Sequence, residues 1–312
     1  MVRDQVLRRL KLSDLRLLRA VVDFGGMAKA ASQLNITQPA VSKAITALEK
    51  TVGVRLVDRT PHGIVPNIYG EALLKGAAAV FDDLDQSINQ IEFLNDPTIG
   101  DVRFATIEHL TAGFLPAVIS RLSKSYPRLN FHVDELSVRA LQYRALRERN
   151  VEFVVTRLPQ VPDPDMNIEV LFDDPIFVAV GANSPWAKRR RIQLAELINE
   201  PWCHPPYTAI VGPVLLEAFR AQGLEPPQGV SCLNMQMHKA LLATGRYVAT
   251  LPSSLLRFSP EELSLTRLPI ELPQVSAPVG IISLKNRTMS PVATLFLQCA
   301  RQIAKQSKGL GG

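Results

Sequence analysis

Gln38, Ser42, Lys43 and Thr46 fall about one helical turn apart, with apolar Val41, Ile45 and Leu48 between them. On an α-helix this spacing separates a polar stripe from an apolar one that faces a core. The polar types suit one chemistry. A Gln amide pairs with an adenine edge at two points, a Lys ammonium reaches guanine O6 and N7, and hydroxyls such as those of Thr37 and Ser42 suit phosphate oxygens. Candidates for catalysis are poorer. Cys203 and His204 are neighbours, and adjacent residues of an extended segment point to opposite faces, so they make a weak thiolate pair. No GxSxG, P-loop or HExxH is present, and no GxGxxG follows a strand. The three cysteines, Cys203, Cys232 and Cys299, form no CxxC pair and have no His at metal-ligand spacing. This fits a reducing compartment, excludes a disulfide framework or zinc ribbon, and leads us to expect no metal and no cofactor.

The elements that would carry the polar stripe follow from local signals. A first helix runs from Leu12 to Phe24 and stops at Gly25-Gly26, and a short Ala-rich helix, Met27 to Leu34, ends at Asn35. Thr37 is a plausible cap for a third helix, about Pro39 to Val52, since Pro is tolerated in a first turn. VRLVDRTPHGIVPN then reads as a hairpin with Gly63 at its tip, completing a winged helix-turn-helix. From Tyr69 to Leu94 a long helix places Leu73, Ala77, Val80, Leu84, Ile88 and Ile91 at coiled-coil spacing, a dimerisation seam that needs a partner.

Beyond Gly100 strands and helices alternate. VRFATI, a helix from about Leu110 to Ser125, LNFHVDE, a helix from Ala140 to Asn150 and VEFVVT form a βαβαβ unit. A second set opens with strands at Ile168–Leu171 and Ile176–Val180. Pro-rich LPQVPDPD (158–165) and LTRLPIELP (265–273) read as crossings between two lobes, and VGIISL with a final helix from Ser290 to Lys305 returns to the first. Open α/β lobes with paired crossings place a ligand cleft between them.

The chain has 312 residues, enough for two or three domains, with 46% apolar and 21% charged residues. This excludes whole-chain disorder, and no apolar run reaches the roughly 18 residues of a membrane span. Charges are scattered through MVRDQVLRRLKLSDLRLL where a signal peptide keeps its apolar core, so a soluble, cytoplasmic protein is expected. Residues 1–75 hold 12 basic and 6 acidic side chains, and the remainder balances at 23 against 23. A basic head on a neutral body suggests a polyanion-binding end joined to something else.

GMAKAASQLNITQPAVSKAITALEKTVGVRLVDRT (26–60) resembles the DNA-binding head of the LysR-type transcriptional regulators, through its AA pair, QPAVS, LE and GVRL, and the similarity extends over nearly the whole chain. The resemblance implies an α/β protein: an N-terminal winged helix-turn-helix, a linker helix that pairs in a dimer often assembled as a tetramer, and a two-lobed effector-binding domain like the periplasmic binding proteins. The corresponding limits are 1–68, 69–95 and 96–312, with lobe I at about 100–158 and 274–306 and lobe II at about 163–268. Carried over by position, the DNA contacts fall on Gln38, Pro39, Ser42 and Lys43, with Arg55 and Arg59 around the wing; Thr37, Thr46 and His62 complete the candidate set. The competing reading for Arg59 is an ion pair with Asp58 or another head residue. Two departures stand out: His62 occupies a wing-tip position that is usually basic, and Met27-Ala28 opens helix two where a hydroxyl is common.

Family position puts the effector at Thr106 to His109, with Thr156 and the far lobe, where His204 and Tyr207, beside Trp202, and Tyr247 are candidates that could equally be core. Glu108 sits among the helix-start amides, where it would repel an acid or bond hydroxyls or a cation. The expected function is a sequence-specific regulator switched by a small molecule and not an enzyme. Its partners would be double-stranded DNA carrying an imperfect inverted repeat, a small-molecule effector, a second copy of itself, and RNA polymerase, with no membrane. The alternatives are a redox sensor using Cys203 and Cys232 and, remotely, an enzyme on the two-lobe fold.

Overall fold

The computed structural model describes residues 2–61, 63–136, 138–209, 211–258, 264–273 and 278–306, with side chains from residue 4 onward. The chain divides into two compact units, Met1–Asp85 and Gln86–Gly312.

The first unit begins with a helix that the sequence pattern did not suggest, α1 (Val2–Arg9), followed by α2 (Leu12–Asp23), α3 (Met27–Gln33) and α4 (Gln38–Val52). Leu18, Val21, Ala30, Val41, Ile45, Leu48 and Leu56 make its core. Gly53, at φ +83°, ends α4 in the left-handed region. The antiparallel hairpin β1 (Val57–Thr60) and β2 (Gly63–Pro66) follows. Gly63 has φ +126°, and a Cβ there would lie 2.4 Å from the Gly25 carbonyl oxygen, which accepts the Ile64 amide at 2.9 Å. Glycine at this position therefore lets the wing dock on the α2–α3 turn.

Helix α5 (Ile68–Asn95) has two different halves. Its Ala77 and Phe81 are buried against Leu15, with Leu73 packed beside them. This corrects the expected seam. Leu73 and Ala77 are committed to the head's own core, whereas Val80, Leu84, Ile88 and Ile91 are exposed. The unit boundary falls inside α5 rather than at its ends for the same reason.

The second unit contains two five-stranded sheets. The first has order β4-β3-β5-β12-β6, formed by β3 (Ile99–Thr106), β4 (Arg128–Glu135), β5 (Phe153–Arg157), β6 (Met166–Phe172) and β12 (Val279–Leu284). β3 pairs in parallel with β4 and β5, and β12 runs antiparallel to β5 and β6. Phe104 stacks on Phe153 at 5.2 Å and meets Phe296 of the last helix, α12 (Pro291–Gln306), at 4.6 Å. The helix expected from Leu110 to Ser125 is two, α6 (Glu108–Thr111) and α7 (Phe114–Ser125), broken at Gly113; α8 (Arg139–Arg147) lies between β4 and β5.

The lobe assignment also needs correction. β6 was expected in lobe II, but it pairs with β12 and buries Met166 and Phe172 in the first lobe. The outward crossing is therefore Asp173–Pro175, not 158–165. In the second sheet, order β11-β7-β10-β8-β9, the strands are β7 (Ile176–Gly181), β8 (Trp202–His204), β9 (Gly229–Ser231), β10 (Val248–Pro252) and β11 (Leu265–Arg267). β11 is an edge strand on β7, so the return crossing starts after it rather than at residue 265. Trp202 is wholly buried in β8, edge-on to Phe219 of α9 (Gly212–Arg220), and its indole N–H donates to Leu197 O at 2.9 Å. α10 (Met235–Ala243) is capped by the Asn234 side chain, which accepts the Met237 amide, and α11 (Ser254–Phe258) follows β10.

Candidate functional site

α4 presents the polar stripe because its apolar residues have nowhere else to go: Val41, Ile45 and Leu48 are at most 2% exposed. Thr37 lies ahead of its first turn, with its hydroxyl oxygen 3.4 Å from the Ala40 amide. Thr37, Gln38, Pro39, Lys43 and Thr46 are exposed, and Ser42 is half-buried. The Thr46 hydroxyl donates to Ser42 O at 2.9 Å, leaving its lone pairs outward. Arg55 and Arg59 are exposed, and no ion pair joins Arg59 to Asp58 among the described residues. His62 lies outside the described residues. This face thus offers hydrogen-bonding groups on a rigid helix beside cations open to solvent, which is what a duplex groove and its phosphates require.

Within the second unit a cavity of about 440 Å³ lies at the strand ends of the two sheets, a size typical of small-molecule sites. Its wall is mostly apolar, with Glu108, His109, Arg139, Gln142, Thr156 and Arg157 contributing polar groups from the first lobe. The Gln142 amide donates to Leu136 O at 2.6 Å and to the Thr156 hydroxyl at 3.2 Å, fixing both side chains. The Thr250 hydroxyl is buried in this wall with no hydrogen-bond partner among the described residues.

Behind the wall lies a charge network. Asp174, on the outward crossing, accepts from Arg157 Nη2 at 2.9 Å, from the Ser254 amide at 2.7 Å, and from the Ser253 and Ser254 hydroxyls at 3.2 and 3.1 Å. His109 Nε2 stands 3.4 Å from it. Burial alone would raise the Asp174 carboxyl, but the His109 ring, the Arg157 charge and the Ser254 amide outweigh it and hold the pKa below its ordinary value. Burial depresses His109, against the pull of Asp174, and also lowers Arg157.

Of the expected effector residues, the structure brings Glu108, His109 and Thr156 to the cavity. Thr106 is wholly buried and its hydroxyl donates to Val155 O at 3.0 Å, so it supports the wall from behind. His204 is also buried, with Nδ1 2.8 Å from Pro205 O and its ring stacked on Tyr207; neither these two nor Tyr247 forms the lining, which here comes from Pro205, Pro206 and Thr208. Glu108 does not face its own helix's amides. Its carboxylate crosses to the other lobe and accepts the Met235 amide at 2.7 Å. Sequence reasoning missed Arg139, Gln142, Arg157, Asp174 and Thr250. The one available signal was an Arg closing the Phe153-Val154-Val155-Thr156 run at Arg157, a position that, once buried, demands a counter-ion.

The chain matches the family model of the bacterial regulatory helix-turn-helix protein, lysR family, over residues 12–71 and that of the LysR substrate binding domain over residues 95–305. It is 27% identical over 289 residues to the transcriptional dual regulator GltC of Bacillus subtilis (strain 168), covering 93% of this chain and 96% of GltC. It is 28% identical over 297 residues to the HTH-type transcriptional regulator GbpR of Azospirillum brasilense, covering 94% and 86%. Two solved structures share the fold. CbnR, a LysR family transcriptional regulator, gives a TM-score of 0.54 at 20% identity over 94% of this chain and 100% of CbnR. A full-length OxyR from Pseudomonas aeruginosa gives 0.61 at 19% over 96% and 94%. With its capped reading helix and wing ahead of a two-lobed α/β body that encloses a cavity, the chain belongs to the LysR family of transcriptional regulators, DNA-binding proteins with an effector-binding domain.

Proposed function

We propose that two heads of one dimer insert α4 into successive major grooves of an imperfect inverted repeat. Gln38, Pro39, Ser42, Lys43 and Thr46 meet base edges and neighbouring phosphates, Thr37 meets a phosphate, and Arg55 and Arg59 add salt-sensitive backbone contacts. In this reading residues 1–68 are the DNA-binding domain, 69–95 the linker and 96–312 the effector domain. The dimer forms through Val80, Leu84, Ile88 and Ile91, and dimers pair into tetramers. A small molecule enters the cavity between Glu108, His109 and Thr156 on one side and Thr250 on the other, where the unpartnered Thr250 hydroxyl offers it a hydrogen bond. By binding one lobe arrangement better than another, it shifts the assembly between two shapes on DNA and so alters recruitment of RNA polymerase. The effector is bound and not transformed, and the protein acts in the cytoplasm. No helix among the described residues is long and apolar enough to cross a membrane.

The observation that carries this reading is the division of α4, whose apolar residues are sealed while its hydrogen-bonding face and the wing arginines stay open. Selection of the full chain against a random duplex library tests it. Enrichment of a two-fold symmetric site with half-sites spaced by whole helical turns is expected. Binding without sequence enrichment overturns it. A thermal-shift screen of the full chain against acids, sugars and aromatics tests the cavity, since a ligand of the native state raises its stability by RT ln(1 + [L]/Kd).

A further inference from the structure

Three residues with no linear metal-ligand spacing converge in the second lobe. Cys203 sits in the middle of β8 and is wholly buried. β9 pairs beside it in parallel, with His204 opposite Ser231, and the Cys232 amide donates to His204 O at 3.0 Å. This brings the Cys232 Sγ to 3.7 Å from the Cys203 Sγ. One turn into α10, His238 is 3% exposed, and its Nδ1 lies 3.7 Å from the Cys232 Sγ. One ligating atom from each residue falls within 4.8 Å of the other two, the only such triad of His, Cys, Asp or Glu among the described residues.

We propose that Cys203, Cys232 and His238 bind a thiophilic cation of zinc-like chemistry, with a fourth coordination position open to the cavity. A tetrahedral zinc with Zn–S of about 2.3 Å and Zn–N of about 2.0–2.1 Å spaces neighbouring ligands at about 3.5–3.8 Å. The Sγ–Sγ and Sγ–Nδ1 edges, at 3.7 Å, already have that length, and the three ligating atoms all lie within 4.8 Å of one another. Cys232 and His238 line the cavity, and Met235 beside them adds a thioether to the same wall, so the fourth ligand would come from the cavity side. Packing alone accounts for one buried thiol, as for Cys299 in the first-lobe core, but it does not require two thiols and an imidazole nitrogen to converge on one point.

The protons balance as follows. Burial pushes the Cys203 thiol up to about 12. His238 Nδ1–H donates to Asn234 O at 2.9 Å. On binding, each thiol releases one proton to solvent, the two thiolates neutralise the divalent charge, and the imidazole proton moves to Nε2 so that Nδ1 can ligate. The imidazole turns its Nδ1 lone pair from Asn234 O toward the sulfurs, giving up one hydrogen bond for three coordinate bonds. The site lies within one lobe and depends neither on DNA binding nor on lobe closure.

The test uses the full chain, stripped with a chelator and kept reduced with a phosphine, and Co(II) as a visible probe for Zn(II). One equivalent of Co(II) is expected to produce thiolate-to-cobalt charge-transfer absorption, which one equivalent of Zn(II) abolishes with release of about two protons per zinc bound by the apo chain. Cys232→Ser, at a half-buried position that tolerates a hydroxyl, should abolish the thiolate bands or weaken binding at least about tenfold. His238→Gln should weaken it similarly, and Cys299→Ser should change nothing. Absence of thiolate bands in the wild type overturns the site, as do bands of undiminished intensity with unchanged Co(II) affinity in Cys232→Ser. Retained thermal stability of Cys232→Ser shows that lost binding is not lost folding.

Discussion

Asp174→Asn removes one charge from the crossing between the lobes and almost no volume. In the native protein that charge faces Arg157 at 2.9 Å, with the Asp174 side chain wholly inaccessible and that of Arg157 6% exposed. The amide keeps some hydrogen-bonding capacity toward Ser253 and Ser254, and Arg157 Nη1 still donates to the residue 174 backbone oxygen, 2.9 Å away in the native protein, but the carboxylate charge facing the guanidinium is lost. Stranding one member of a buried pair costs about 3–5 kcal/mol. For a unit of this size each kcal/mol moves the midpoint by about 2–4 °C, so the second unit's transition should fall by about 6–20 °C. Thermal or urea unfolding of the full chain, following the second unit's transition, reads this directly. Because the pair costs desolvation to bury, Arg157→Met combined with Asp174→Leu should recover much of the loss, giving strong non-additivity in the double-mutant cycle. The pH dependence has a defined sign. The folded Asp174 pKa lies below the ordinary 3.8, so its contribution is fully present above that value and is lost as pH falls through the folded pKa. The deficit of Asp174→Asn should therefore stay level from about pH 5 to 8 and shrink only in stronger acid. A deficit below about 1 kcal/mol, or additive single variants, would refute the reading of Asp174 and Arg157 as a coupled buried ion pair.

Gln38→Ala should relax base preference at one position of each half-site, at a cost of about 1–3 kcal/mol, read by competition binding against substituted operators; unchanged selectivity removes Gln38 from the base contacts. Arg59→Ala should weaken all sequences alike and lower the slope of log K against log salt by about one unit, whereas a fixed slope with weaker binding assigns Arg59 to folding. Leu84→Asp with Ile88→Asp should dissociate the dimer in sedimentation while leaving the head folded, because these side chains are 42% and 52% exposed and outside its core. Burial holds the folded His109 pKa below 6.5, so its contribution is complete above that value and declines as pH falls; His109→Asn should flatten the loss of stability between about pH 7 and 5, and an unchanged profile sinks that cause.

The head was legible because its determinants are local: Gly25-Gly26 stops α2, Thr37 precedes α4, and Val41, Ile45 and Leu48 share one face. The second unit was legible as strands and helices but not in its pairing. Nothing near β6 shows that it pairs with β12 at the far end of the chain, and once that pairing forms the lobe boundary shifts to Asp173–Pro175. The same limit applied to the cavity. Glu108, His109 and Thr156 were reachable from family position, but Asp174, Thr250 and His238 come from a crossing, a strand and a helix whose approach only the tertiary fold decides. Leu73 and Ala77 had the period of a seam and the environment of a core, and periodicity does not tell these apart.

Glu108 bridges the lobes before any effector arrives, its carboxylate seated on the first amide of α10. The protein thus carries its own competitor. A group tethered within the same fold acts at an effective concentration on the order of millimolar. A free carboxylate of equal intrinsic affinity for those amides would have to exceed that level to displace it, so trace metabolic acids leave the lobes undisturbed. An effector that uses the cavity's other groups and leaves this seat occupied meets no such threshold. The bridge therefore sets a concentration threshold for any carboxylate that would take the Met235 amide, and none for a molecule that leaves it in place.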